Sequence, residues 1–265
     1  MVKLGLDPGH GGRDGGAGTY SLLEKTLALN ISLEIKTQLE RDYEGIQVFM
    51  TRSTDLFLEL DERTDLMNKL DVDALISVHC NAGGGKGGFE TFRYNKASTN
   101  SVKLQNAIHT AVMNELKPFG VIDRGQKTEN LHMVRESKMP AVLTENLFID
   151  VLADSERLKR PEVIQAIIDG HVKGIASYFG IKRKETAKVT TERDIHKVSD
   201  WAESAWEEMT KNGYYDGSRP GATQTREEAA VVMYRFRKNF LKLISIISED
   251  IAELDRRLVE IEVAD

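Results

Sequence analysis

Residues 70–82 read LDVDALISVHCNA: an apolar run from Ala74 to Val78, opened by polar residues and closed by His79, Cys80 and Asn81. The run predicts a strand over Ala74–His79 that delivers an imidazole at its carboxyl end. Working outward, similar short runs predict strands at Lys3–Leu6, Ile46–Thr51, Gly88–Tyr94, Leu131–Val134 and Ala141–Glu145. Helical periodicity fills the intervals. Leu23, Leu27, Ile31, Ile35 and Leu39 recur every fourth residue and predict an amphipathic helix over Leu22–Arg41. Leu58, Leu66 and Leu70 mark a second helix, Val102–Leu116 a third and Val163–Tyr178 a fourth, with Gly180 as its stop. Strands alternating with helices through residues 1–180 predict an α/β fold, a mixed and mainly parallel twisted sheet flanked by helices.

Composition narrows the function classes. With 265 residues, 40% hydrophobic and 29% charged, the chain is neither wholly disordered nor membrane-spanning. Its longest apolar runs fall far short of the ~20 residues of a membrane helix, so no membrane insertion is expected. Lys and Arg number 36 against 42 Asp and Glu, a net charge of -6 with no basic run, which argues against nucleic acid as a partner. The single cysteine, Cys80, permits no internal disulfide and leaves any metal to nitrogen and oxygen ligands. The opening MVKLGLDPGH places Asp7 where the apolar stretch of an export signal would run, so synthesis in a cytoplasm is expected.

After Gly180 the polar, mostly basic stretch over residues 181–193 reads as a linker. Residues 194–265 then read as a small, mostly helical module. Trp201, Ala205 and Met209 share a helix face, Gly213–Thr223 is turn-rich, and Ala229–Phe236 opens another helix. Ile244, Ile247, Ile251, Leu254, Leu258 and Ile261 form a heptad seam that serves either to fold back on the module or for self-association.

Chemistry-bearing residues gather at strand ends, where the crevice of an α/β sheet lies. The first strand runs into Asp7, Pro8, Gly9 and His10, the third into His79, and the last into Glu145, while Glu24 opens the first helix and faces the His10 loop. Two imidazoles and a carboxylate form a ligand set that leaves a zinc ion one open position, with Glu145 free to act as a base. On spacing alone, a structural use of these four residues stays open.

The segments LDPGHGG, SLLEKTLALNIS, VFMTRSTD, LDERTDLMNKLDVDALISVHCNA and PAVLTENLFID together resemble the zinc-dependent N-acetylmuramoyl-L-alanine amidases that cut bacterial peptidoglycan, over about Val2–Gly180. The resemblance implies one zinc ion held by His10, Glu24 and His79, with Glu145 catalytic. It implies hydrolysis of the amide between N-acetylmuramic acid and L-alanine. That family often carries Gly-Phe two residues after the catalytic Glu, as in ELGF, where this chain has Glu145, Asn146, Leu147 and Phe148. The C-terminal run WAESAWEEMTKNGYYDGSRPGATQTREEAAVVMYRF resembles one S-layer-homology repeat, which implies a secondary cell-wall polymer as a second partner. A catalytic domain, linker and wall-binding module is the plan of a phage endolysin, with a bacterial autolysin as the other reading. Either is made inside the cell and acts at the wall after release. The competing classes are a non-catalytic wall-binding protein on the same fold and a zinc peptidase cutting within the stem peptide.

Other residues are expected to play lesser parts. Asn81 is expected to hydrogen-bond a ligand or substrate or to form a turn, and His132, on its predicted strand, is placed to line the cleft. Arg52 and Arg63 are expected to pair with carboxylates such as Asp55 or Asp65. Cys80 should point away from His79 as a small buried hydrophobe. The Gly83–Gly88 loop is expected to be a flexible rim for an extended polymer.

Overall fold

The computed structural model describes residues 1–184, 203–215 and 231–238, together with residues 198, 229, 240 and 247. The chain divides into two units, Met1–Glu185 and Thr186–Asp265.

The first unit is built on a six-stranded sheet: β1 (Val2–Pro8), β4 (Ile46–Met50), β5 (Ala74–Asn81), β6 (Phe89–Arg93), β7 (Asp123–Thr128) and β8 (Ala141–Phe148), in the order β4-β1-β5-β8-β6-β7. All pairings are parallel except β6 with β8. The expected α/β architecture is therefore the observed one. Two short strands, β2 (Gly18–Thr19) and β3 (Leu22–Leu23), form a hairpin just before the first helix.

Helices cover both faces. On one, α1 (Glu24–Asp42), α3 (Thr99–Leu116) and α6 (Pro161–Phe179) bury Ile31, Ile35, Leu104, Ile108, Ile167 and Ile175 against Leu4, Ile76, Val78 and Val142. On the other, α2 (Leu60–Leu70) and α4 (His132–Arg135) close a smaller core of Met67, Leu75, Met133 and Leu143. A further helix, α5 (Leu152–Leu158), follows β8. The helix boundaries have local causes. Glu59 and Glu62 make a capping box for α2, Pro161 opens α6, and Gly180 at φ 64 closes it in the left-handed region that glycine tolerates.

Two expectations are overturned here. Leu131–Val134 is not a strand; its residues turn into α4, whose Met133 and Val134 are the buried pair. In their place β7, DRGQKT, supplies the edge strand. It carries no apolar alternation because none of its six side chains is buried. Leu22 and Leu23 also belong to β3 rather than α1, and Leu23 is exposed.

In the second unit, α7 (Glu203–Lys211) holds Ala205 and Met209, and residues 231–238 are helical. Trp206 stacks on Tyr215 at 4.9 Å, and Arg235 donates to the carbonyls of Gly213 and Tyr214. Trp201, most of the 213–223 loop and all of the Ile244–Ile261 seam except Ile247 lie outside the described residues.

Candidate metal centre

The carboxyl ends of β1, β5 and β8 and the first turn of α1 converge. β1 leads into a loop clamped by two buried arginines. Arg63 Nη1 pairs with Asp7 Oδ1 at 3.0 Å, and the same guanidinium donates to the carbonyls of Pro8 and His10 at 2.8 and 2.7 Å. Arg52 donates to the carbonyls of Pro8 and Gly9. The remaining Asp7 acceptors take the hydroxyls of Thr51 and Ser77, both at 2.7 Å. Burial by itself would raise the Asp7 carboxyl, but Arg63 and these hydroxyls hold it below the usual range. The arginines thus pair with Asp7 and the loop backbone, not with Asp55 or Asp65; Asp55 pairs with Lys25 instead.

On this clamped loop His10 sits at φ 59 and turns its ring toward Glu24. Its Nε2 is 3.1 Å from Glu24 Oε1, while its Nδ1 contacts Asp14 Oδ2 at 2.8 Å. His79 Nδ1 approaches the same Glu24 Oε1 at 2.9 Å, and Glu24 Oε2 accepts the Ala17 amide. The His10 and His79 rings meet edge to face with centroids 5.0 Å apart. One ligand atom from each of His10, Glu24 and His79 lies within 4.8 Å of the others. Without a Cβ, Gly9 leaves room for this packing: a methyl there would stand 2.2 Å from His79 Cε1.

Charge is concentrated at the cluster. Desolvation pulls His10 down, but Glu24 and Asp14 outweigh it and raise the imidazole to about 9. His79 is raised against its burial by Glu24 and Glu145. Glu24, though buried, is held far below the normal carboxylate range by the two imidazoles. Two nitrogens and one carboxylate oxygen at this spacing suit a divalent ion with an open position.

Glu145 stands opposite His79 in the β5–β8 register and opposite Glu90 in the β6–β8 register. Burial, reinforced by Glu24 and Glu90, pushes its carboxyl up to about 7 against the pull of His79 and His10. Its Oε2 is buried without a hydrogen-bond partner among the described residues. After it, β8 bulges: His79 faces Glu145 and Asn81 faces Phe148, with Leu147 held at φ 70 between them. Leu147 thus occupies, in left-handed backbone, the place where the ELGF pattern has glycine.

Residues 4–177 match the N-acetylmuramoyl-L-alanine amidase family. A sporulation-specific N-acetylmuramoyl-L-alanine amidase of Bacillus subtilis (strain 168) is 41% identical over 187 residues, which cover 71% of this chain and 72% of that protein. The endolysin of Bacillus phage SPP1 is 40% identical over 197 residues, covering 73% and 72%. The solved catalytic domain of CwlV, an N-acetylmuramoyl-L-alanine amidase of Bacillus (Paenibacillus) polymyxa var. colistinus, superposes with a TM-score of 0.64 at 31% identity, covering 69% of this chain and 100% of that one. The chain belongs to the N-acetylmuramoyl-L-alanine amidases.

In this amidase the lesser residues separate. Asn81 donates to Glu90 Oε1 at 2.7 Å, so its amide orients a carboxylate beside Glu145. His132 contacts Thr64 Oγ1 and Asp61 on α2 and none of His10, Glu24, His79 or Glu145. Cys80 is buried in the larger core, as its alternation with His79 requires. The Gly83–Gly88 loop is tied at both ends: Asp150 accepts the amides of Gly83 and Gly84, and Asp154 accepts that of Gly88. Asp14 was not legible as a partner of His10, although its place four residues on, across a run of glycines, is the signal that brings it back to the ring.

Proposed function

We propose that the amidase hydrolyses the bond between the lactyl carbonyl of N-acetylmuramic acid and L-alanine in bacterial peptidoglycan, with one zinc ion held by His10, Glu24 and His79 and with Glu145 as acid and base. The observation that carries this reading is the convergence of three ligand atoms within 4.8 Å beside a buried carboxyl whose Oε2 has no partner among the described residues. The donor set fits zinc, and Asp14 on the far nitrogen of His10 fixes that ring as carboxylates do in such sites. Zinc in such a site polarises an amide carbonyl and lowers the pKa of a water to about 7.

The chain's own residues do the rest. Glu145, poised near neutrality, takes a proton from the attacking water as its oxygen bonds to the carbonyl carbon. It then gives that proton to the alanine nitrogen as the C–N bond breaks, leaving a lactyl carboxylate and a free amine. Because His10 and His79 hold protons tightly against Glu24, metal loading releases protons and weakens as the pH falls.

Similarity to the SPP1 endolysin supports a lytic role with action at the wall after synthesis in a cytoplasm. Among the described residues no helix is long and apolar enough to cross a membrane. The S-layer-homology resemblance of the C-terminal run supports a wall-polymer contact there. Mass analysis of purified peptidoglycan digested by the wild type, the metal-stripped protein and Glu145→Gln tests the central reading. Stem peptides beginning with free L-alanine are expected from the wild type alone, with Glu145→Gln keeping its zinc and losing about 10²- to 10⁴-fold in rate. Turnover near the wild-type rate by Glu145→Gln would remove the proposed base.

A further inference from the structure

Beside Glu145 lies a charged arrangement that the hydrolysis itself does not use. Glu90 faces Glu145 across the β6–β8 pair, so their Cβ atoms stand about 5 Å apart on one face of the sheet. The Glu90 carboxylate is buried and fully engaged. Asn81 Nδ2 bonds one oxygen at 2.7 Å, and Arg124 Nε, at 2.8 Å, and Lys127 Nζ bond the other.

Arg124 and Lys127 are three residues apart on β7, and in a regular strand they would point to opposite faces. A bulge brings them together. Phe89 pairs with Asp123 and Thr91 with Gln126, so Arg124 and Gly125 share the place opposite Glu90, with Gly125 at φ 86. Bulges of this kind re-aim side chains. Two cations thus meet one carboxylate, an excess of one positive charge.

Neither cation is used up. The Arg124 guanidinium lies over the Phe148 ring at 4.5 Å and reaches the Gly87 carbonyl through Nη1, while its Nη2 has no hydrogen-bond partner among the described residues. Lys127 spends one of its three protons on Glu90. Both side chains are partly open to solvent, at 29% and 39% exposure. An arginine stacked on a ring and braced by a buried carboxylate presents its free edge to an anion in a fixed orientation.

Resting on the proposed reaction, we infer that Arg124 and Lys127 form a carboxylate-recognition wall that sets specificity for a stem peptide whose second residue carries a free α-carboxylate. The glycan is built of neutral N-acetyl sugars, so the anionic groups of the substrate lie on the peptide side of the scissile amide. From β7 the charged ends of Arg124 and Lys127 reach back to Glu90 on β6, the strand beside β8, about 5 Å across the sheet from Glu145. That is about the reach of one or two residues of extended chain at ~3.5 Å each. Peptide running from Glu145 across β6 would therefore bring its first carboxylate to Arg124 and Lys127.

The test uses the full chain on two purified peptidoglycans that differ only in whether the second stem residue is D-isoglutamate or its α-amide, D-isoglutamine. Release of L-alanine amino termini gives kcat/KM on each. The wild type should favour the free carboxylate by about tenfold or more, the scale of a charge-assisted hydrogen bond. Arg124→Gln should bring the ratio to within about twofold, and Lys127→Gln should reduce it in part, while Arg124→Lys should retain more of it than Arg124→Gln. A merely structural role would lower both rates together and leave the ratio in place. Equal wild-type rates on the two polymers, or an undiminished ratio in both glutamine variants, would overturn the wall while leaving the amidase reading intact. Cleavage of neither polymer by the wild type would overturn that reading and this inference with it.

Discussion

Gly9→Ala perturbs the proposed metal centre without touching a ligand. A Cβ at Gly9 would meet Cε1, Nδ1 and Nε2 of His79 at 2.2, 2.5 and 2.6 Å. To reach ordinary contact at 3.4 Å, the ring has to retreat by about 1.2 Å. The backbone has little freedom to retreat instead, because the Gly9 amide donates to the Val78 carbonyl at 2.9 Å and its carbonyl accepts Arg52 Nη2 at 2.7 Å. Moving the ring breaks its 2.9 Å contact with Glu24 and misplaces one of the three proposed ligands. A loss of about 10- to 100-fold in zinc affinity is expected, on the scale seen when ligand orientation is lost. At a zinc level about 100-fold above the wild-type Kd, a weakening of that size removes about 1.3–2.3 kcal/mol of a stabilisation of roughly 2.7 kcal/mol. For a unit of this size that corresponds to a fall of roughly 3–9 °C in the zinc-induced rise of Tm. Turnover should fall by about 10²-fold or more, as for a misplacement of about 1 Å. Competition with a chromophoric chelator, melting with and without zinc, and amine release from peptidoglycan read the three effects. Gly15→Ala is the control, since its Cβ would meet only Leu23 Cδ2, at 3.5 Å. Zinc affinity and activity of Gly9→Ala both within about threefold of the wild type, far inside the 10- to 100-fold loss expected, would refute the reasoning.

Three further outcomes follow from particular contacts. Asp14→Asn keeps the turn acceptor for the Gly16 amide but removes the charge on His10 Nδ1, so zinc affinity measured by chelator competition should fall about 10- to 100-fold, while the metal-free melt falls only slightly for loss of a half-exposed ion pair. His171 is fully buried between Ile167 and Thr144, and desolvation lowers its imidazole to about 4. The folded state therefore binds its proton less readily than the unfolded chain, and stability present above about pH 6.5 is lost as the pH falls toward 4, on the order of 3 kcal/mol. Urea midpoints should show that loss in the wild type and a shallower one in His171→Leu; identical pH slopes would contradict it. Leu147 is fully buried at φ 70. At an ordinary buried position glycine is weaker than alanine by more than about 1 kcal/mol, whereas relief of left-handed backbone, about 1–2 kcal/mol, offsets this. Leu147→Gly and Leu147→Ala should therefore unfold within about 0.5 kcal/mol of each other in urea, and glycine trailing by over ~1 kcal/mol would count against the strain.

The parts of the molecule legible in the sequence are those whose apolar pattern and chemistry coincide. β1, β5 and β8 are short apolar runs buried against helices; His10 follows β1 closely, and His79 and Glu145 lie in the carboxyl halves of β5 and β8, so the same segments announce the strands and the residues of the proposed site. Periodicity found α1, α3 and α6 because each has a face against the larger core. Leu131–Val134 misled because two buried residues in a four-residue turn of helix look like a fragment of strand. β7 stayed hidden because an edge strand with no buried side chain carries no apolar pattern.

That hidden strand also carries the proposed carboxylate-recognition wall, and the reason is geometric. A strand's side chains alternate, so residues at odd separation, such as Arg124 and Lys127, read as belonging to opposite faces. Only an inserted residue makes them neighbours, and Gly125, the residue that allows it, is indistinguishable in sequence from any loop glycine. The same holds for β8, where the bulge at Leu147 sets Phe148, three residues after Glu145, opposite Asn81 and beneath the Arg124 guanidinium. Sequence pattern marks the proposed metal ligands because each lies at or near the end of a regular element. It is silent on the residues around them because two bulges place those residues against the strand's own alternation.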